Sequence, residues 1–149
     1  MGAGLTVLGG VAGTFINAYV NSKKAHQDEW WKLKREAYSK IIETLQRVAY
    51  YSQIVGNHER DGWKVAEKRK QEIIETFRNH IDELGLVTGV GAFIISEEAA
   101  NVLSELEGEV INFRNAEEFS DHRHWAYSKL FSEALQKIRA LAKADLKVR

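Results

Sequence analysis

All 21 basic and all 21 acidic side chains lie from Lys23 onward, so the first 22 residues form an uncharged, apolar run. That partition divides the chain into an apolar N-terminal segment and a charged remainder. The run from Ala3 to Val20 reads AGLTVLGGVAGTFINAYV, and a helix of that length covers about 27 Å at a rise of about 1.5 Å per residue. A helix of about that length can cross a thin bilayer. A cleaved secretory signal begins with basic residues and ends at a small-x-small site; this run has neither. The sequence therefore predicts an uncleaved transmembrane anchor over 1–22. The basic side chains Lys23, Lys24, Lys32, Lys34 and Arg35 follow it, which predicts an inner (cytoplasmic) membrane, single-pass protein with its C-terminal domain in the cytoplasm. A flexible tail or a buried core helix is the alternative, because glycine lowers both helix propensity and apolarity.

Within the same run, Thr6, Gly10 and Thr14 recur at a spacing of four, and Gly9 and Gly13 make a GxxxG pair followed at the same interval by Asn17. Small residues in this pattern let helix backbones approach closely in lipid, and the Asn17 amide could bond to its copy. Thr6, Gly9, Gly10, Gly13, Thr14 and Asn17 are therefore candidate self-association residues. The glycines do not form a phosphate loop, since GLTVLGGVAG lacks both the Gly-Lys-Ser/Thr ending and the GxGxxG spacing.

The remaining stretch, 23–149, contains no proline, as does the whole chain, and proline is the main helix breaker. Its apolar residues recur at intervals of three and four. Trp31, Tyr38, Ile41, Leu45, Val48 and Val55 mark a first helix over 22–55, stopped by Gly56 and Asn57. Trp63, Ala66, Ile73, Phe77, Ile81 and Leu84 mark a second over 61–84, with Gly85 beyond its end. A third follows Ser96, whose hydroxyl can cap it while Glu97 and Glu98 meet the positive helix end. It carries Ala99, Val102, Leu103, Leu106, Val110 and Phe113 to about Asn115. The fourth starts near Ser120 or Asp121 and places Trp125, Leu130, Phe131, Leu135, Ile138, Leu141 and Leu146 inward or nearly so. The expected fold is all-α: an N-terminal transmembrane helix followed by an antiparallel bundle of about four helices. The seam of the first helix is in heptad register with the N-terminal run, so one long helix could carry both; a bend or solvated neck is equally compatible. The connection GLVTGVGAFII, Gly85 to Ile95, is apolar and uncharged, unlike a solvated turn. Lipid, a neighbouring subunit or an end of its own bundle must cover it.

The absence of cysteine removes thiolate nucleophiles and cysteine metal sites. A net charge of zero gives no field to hold a polyphosphate, so no nucleic-acid polymer is expected as a partner. None of the histidines has Glu three positions before it, as a carboxylate-bridged metal site in a bundle requires. Asp121, His122 and His124 match no zinc spacing. His80 with Asp82 and Glu83, and His58 with Glu59 and Asp61, are sequence neighbours on charged helices rather than convergent acid–base sets. No catalytic residue, metal or cofactor is nominated. Lys64, Lys68, Arg69 and Lys70 beside Trp63 form a candidate anionic-ligand face, although Glu67 and Glu72 dilute it. Trp30 and Trp31 suit either lipid headgroups or the end of the bundle.

The phrases WWKLKREAYSKIIETL, ISEEAANVLSEL and ALQKIRALAKADL resemble small uncharacterised bacterial single-pass membrane proteins with a cytoplasmic helical domain. Proteins of similar layout include membrane effectors of anti-phage defence, and the resemblance implies no catalytic residue. The expected function is that of a non-enzymatic, self-associating membrane protein acting as an effector of bacterial defence or in a phage-related setting. Its expected partners are membrane lipid, further copies of itself and a protein bound by the helical domain. The alternatives are a membrane-tethered adaptor or scaffold, and a sensor binding a nucleotide or other anionic ligand.

Overall fold

The structure, a computed structural model, describes the backbone of residues 2–115 and 123–147, and the side chains of 21–112 and 126–147. Among the described residues it is all-helical: α1 spans Gly2–Arg60, α2 Glu67–Gly91, α3 Glu97–Asn115 and α4 Arg123–Lys147. The chain forms two compact units, Met1–Lys34 and Arg35–Arg149.

The second unit is a helical bundle built on the expected apolar seams. Tyr38, Ile41, Leu45, Val48 and Val55 of α1 are all completely or almost completely buried. They meet Ile73, Phe77 and Leu84 of α2, Ala99, Leu103, Leu106 and Val110 of α3, and Phe131, Leu135 and Ile138 of α4 in one core. Phe77 from α2 stands edge-on to Tyr127 and Phe131 of α4, with centroids 6.2 and 6.4 Å away, an arrangement favoured by the ring quadrupoles. Cross-links fix the helix directions. On α1, Ala37 and Ile41 lie against Gly91 at the end of α2, while Arg47 reaches Glu83 at 3.6 Å. Likewise Tyr38 meets Asp145 and Gln46 meets Arg139. Both α2 and α4 thus run antiparallel to α1.

Two helix ends differ from the sequence expectation. α1 passes through Gly56 and Asn57 and stops at Gly62, where the chain turns left-handed (φ 74°). There the Trp63 N–H donates to the His58 carbonyl at 2.7 Å and the Gly62 N–H to the Glu59 carbonyl at 3.1 Å, the paired bonds of a Schellman ending. A glycine inside a helix costs only about 1 kcal/mol; Gly56 is tolerated because Ser52 and Val55 on the same turns are in the core. α2 starts later than expected, at Glu67, and continues through Gly85 to Gly91. With no proline in the chain, Gly85 alone does not stop it, and Val87 packs against the core from the added turns. The expected eleven-residue connection is therefore mostly helix. Its tight end, where the Ile94 and Ile95 N–H groups both donate to the Gly91 carbonyl, leads into the cap of α3. That cap is as expected: Ser96 Oγ accepts from the Ala99 N–H at 3.3 Å.

The expected membrane anchor is corrected. Among the described residues no helix is long and apolar enough to cross a membrane. Gly4, Gly9, Gly10 and Gly13 bring no apolar side chain to the N-terminal run, and Thr6, Thr14, Asn17 and Tyr19 each bring a polar group. Lack of charge is thus not the same as the sustained apolarity that spanning requires. The single-pass topology, the inner-membrane localisation and the orientation drawn from the basic residues fall with the span.

Candidate interaction face

The most distinctive surface of the bundle lies where α2 meets α3. α3 packs far more extensively along α4 than along α2, and a cleft of about 400 Å³ opens between α2 and α3. Its floor and walls are apolar, made by Ile81, Leu84 and Leu86 of α2 and by Leu103, Leu106, Val110 and Ile111 of α3, with Asp82 and Glu107 also lining it. Leu86 is 73% exposed and Ile111 50%. Beyond Leu86 the apolar surface continues along α2 and its following turn through Val90 (72% exposed) and Phe93 (87% exposed). Leu86 and Val90 are four apart on one face of α2, and Phe93 follows three positions on in the turn beyond its end. Singly exposed apolar residues are ordinary, whereas a row of them beside an apolar cleft is a contiguous apolar surface.

The charged side chains lining the cleft, Asp82 and Glu107, are both acidic, and the surrounding sequence has the same sign. From Ile81 to Gly91 the sequence contains Asp82 and Glu83, and from Glu97 to Phe113 it contains Glu97, Glu98, Glu105, Glu107 and Glu109; neither stretch has a lysine or arginine. Glu83 is engaged on the α1 side by Arg47 at 3.6 Å and by His80 Nδ1 at 3.5 Å. Asp82, Glu105, Glu107 and Glu109 face solvent.

At one end of the bundle Tyr38 organises a polar knot. Its hydroxyl donates to Asp145 Oδ2 at 2.9 Å, accepts from the Ser96 N–H at 3.2 Å, and lies 3.1 Å from Ser96 Oγ. Three helices are joined at one oxygen. Burial pushes the Tyr38 phenol above its ordinary range and the neighbouring Asp145 carboxylate adds to this, while the Ser96 hydrogen bonds act in the opposite sense.

The candidate anionic-ligand face is not assembled into a cradle. Lys70 stands over the Trp63 ring at 5.3 Å, the same indole on which His58 stacks at 5.1 Å. Arg69 turns to Glu72 at 3.2 Å, and Lys64 and Lys68 are exposed. Of the histidine–carboxylate neighbours, His80 does meet Glu83, at 3.5 Å, while it packs against Tyr51 with centroids 4.9 Å apart; His58 stacks on Trp63, and Asp82 lines the cleft. Among the described residues no group of three or more His, Asp or Glu side chains could hold a metal ion; Asp121, His122 and the His124 side chain lie outside the described residues. The side chains of Thr6, Gly9, Gly10, Gly13, Thr14 and Asn17 also lie outside them, although their backbone belongs to α1.

The sequence flagged the unusual run containing Leu86, Val90 and Phe93 but, treating it as a loop, did not align these residues on a face. Extending the helical period past Gly85 would have aligned them. No local signal joins Tyr38 to Asp145, 107 positions away. No family model, no curated protein and no solved structure matches the chain.

Proposed function

We propose that this chain is a non-enzymatic, self-associating helical protein whose α2–α3 face is an interaction surface. The observation that carries the reading is the joining of an open apolar cleft to a row of strongly exposed apolar residues, Leu86, Val90 and Phe93. A bundle with a well-buried core gains nothing internally from holding a phenyl ring almost fully in water, whereas covering it on association removes apolar area from solvent. The titratable groups around this face do not converge as an acid, a base and a nucleophile would. A membrane-acting role is excluded from the proposal together with the span it required.

Sedimentation velocity of the full chain across a wide concentration range is the direct test. The expected result is a sedimentation coefficient that rises with concentration, and a weaker rise for Phe93→Ser at unchanged thermal stability. A chain that sediments as a single copy throughout would overturn the reading.

A further inference from the structure

We infer that self-association is head-to-tail: the basic segment 23–35 of one copy docks in the acidic, apolar α2–α3 cleft of the next. This rests on the self-association reading and names its two faces. The cleft asks for an occupant that is apolar at its centre and positive at its margins. Its floor is aliphatic, and the charged side chains lining it, Asp82 and Glu107, are both acidic. The segment 23–35 has the complementary pattern. It holds five basic side chains, Lys23, Lys24, Lys32, Lys34 and Arg35, against Asp28 and Glu29. Within it Trp30 is 50% exposed and Leu33 47% exposed, on helix α1 at the i, i+3 spacing that places them side by side. Lys23 precedes Trp30 by seven positions and Lys34 follows it by four, so both ammonium groups border the same stripe.

Charge decides between this arrangement and a symmetric one. A two-fold contact centred on the cleft would lay that patch against its own copy, bringing the acidic margins of the two clefts into opposition, and like charges juxtaposed across an interface are costly. A heterologous contact sets lysines against glutamates instead. It also leaves the pair with one free cleft and one free segment, so growth continues until a ring closes or an open filament forms.

The test is complementation between two full-length variants, with helicity checked for each by circular dichroism. Trp30→Gln/Leu33→Gln alters the segment and Leu86→Lys/Ile111→Lys alters the cleft. All four residues are about half exposed or more, so both variants should fold. The expected result is that the wild type assembles beyond two copies and that added salt weakens the assembly, because exposed charges are screened. Each variant alone should associate about tenfold more weakly or worse, as central apolar anchors carry most of an interface's energy. Their equimolar mixture should form one-to-one pairs and stop there, since only one intact segment and one intact cleft remain in the pair. Two weakened variants whose mixture stays unpaired would overturn the head-to-tail inference and leave self-association by another geometry standing. A variant that assembles like the wild type would also overturn it. A wild type that remains a single copy would overturn both this inference and the reading on which it rests.

Discussion

At the residue scale, the Tyr38 hydroxyl ties α1 to Asp145 of α4 and to Ser96 at the start of α3. Tyr38→Phe keeps the ring in the core but strips Asp145 of a donor and the Ser96 N–H of an acceptor. Losing a hydrogen bond to a charged group costs about 1.5–3 kcal/mol, so the variant should unfold at lower denaturant concentration with an unchanged slope. The phenol also sets a pH dependence. Its folded-state pKa is raised, so above pH about 10, where an unfolded tyrosine loses its proton, the folded state holds more protons than the unfolded one. Its contribution is complete below that pH and is lost as pH rises through the folded pKa. Urea titrations between pH 8 and 11 should show a steeper alkaline loss of stability in the wild type than in Tyr38→Phe. The glycines of α2 give a second contrast. A Cβ at Gly91 would come within 2.8 Å of Ile41 Cδ1, whereas one at Gly89 would meet nothing within 4 Å. Gly89→Ala should stabilise by about 0.5–1 kcal/mol through helix propensity and reduced unfolded-state freedom. Gly91→Val should instead destabilise by about 1–3 kcal/mol, because Ile41 is fully buried and cannot yield without disturbing the packed core. Thermal melts of the two variants provide the comparison.

At the element scale, the helix ends obey hydrogen-bond accounting more closely than they obey glycine as a letter. Gly56 and Gly85 sit inside helices, and Gly62 ends one, because of the three only Gly62 takes the left-handed conformation, shared by the following Trp63 (φ 48°), that lets two backbone N–H groups satisfy terminal carbonyls. Gly62→Ala should therefore cost about 1 kcal/mol, measured by chemical denaturation, while Gly85→Ala, with no atom within 4 Å of the new Cβ, should not destabilise. The start of α3 shows the opposite case, in which local chemistry suffices. Ser96 accepts from the Ala99 N–H, Glu97 and Glu98 occupy the positive first turn, and both features are written in consecutive residues.

At the scale of the whole molecule, buried and exposed aromatics have separable duties. Phe131 is completely buried and Phe93 is 87% exposed. Phe131→Ala should cost about 3–5 kcal/mol of folding stability through lost burial and a cavity, while Phe93→Ser should leave the melting temperature within a degree or two and act on assembly. Calorimetry and sedimentation on the same pair of proteins would separate the two duties. A loss of several kcal/mol for Phe93→Ser would show that the exposed row supports the bundle rather than an interface.

The sequence by itself determined what depends on near neighbours along the chain. A proline-free stretch with apolar residues at intervals of three and four specifies helices, and the seam Tyr38, Ile41, Leu45, Val48 and Val55 reaches the core as its period dictates. Ser96 caps the helix it precedes because the bond it makes spans three residues. Three things were decided only in three dimensions. The length of α2 depends on whether Val87 and Gly91 find α1 and the core to pack against, which no window around Gly85 contains. The Tyr38–Ser96–Asp145 knot depends on segments far apart in the chain brought together by antiparallel packing. The exposed row of Leu86, Val90 and Phe93 is legible as apolar in sequence, but whether an apolar side chain is core or surface depends on which neighbouring helix turns toward it. For the N-terminal run, lack of charge was legible residue by residue, whereas crossing a membrane requires enough apolarity summed along the helix. Local rules specify the helices, and the energy of burial, which is shared among distant residues, decides which of their faces are left open.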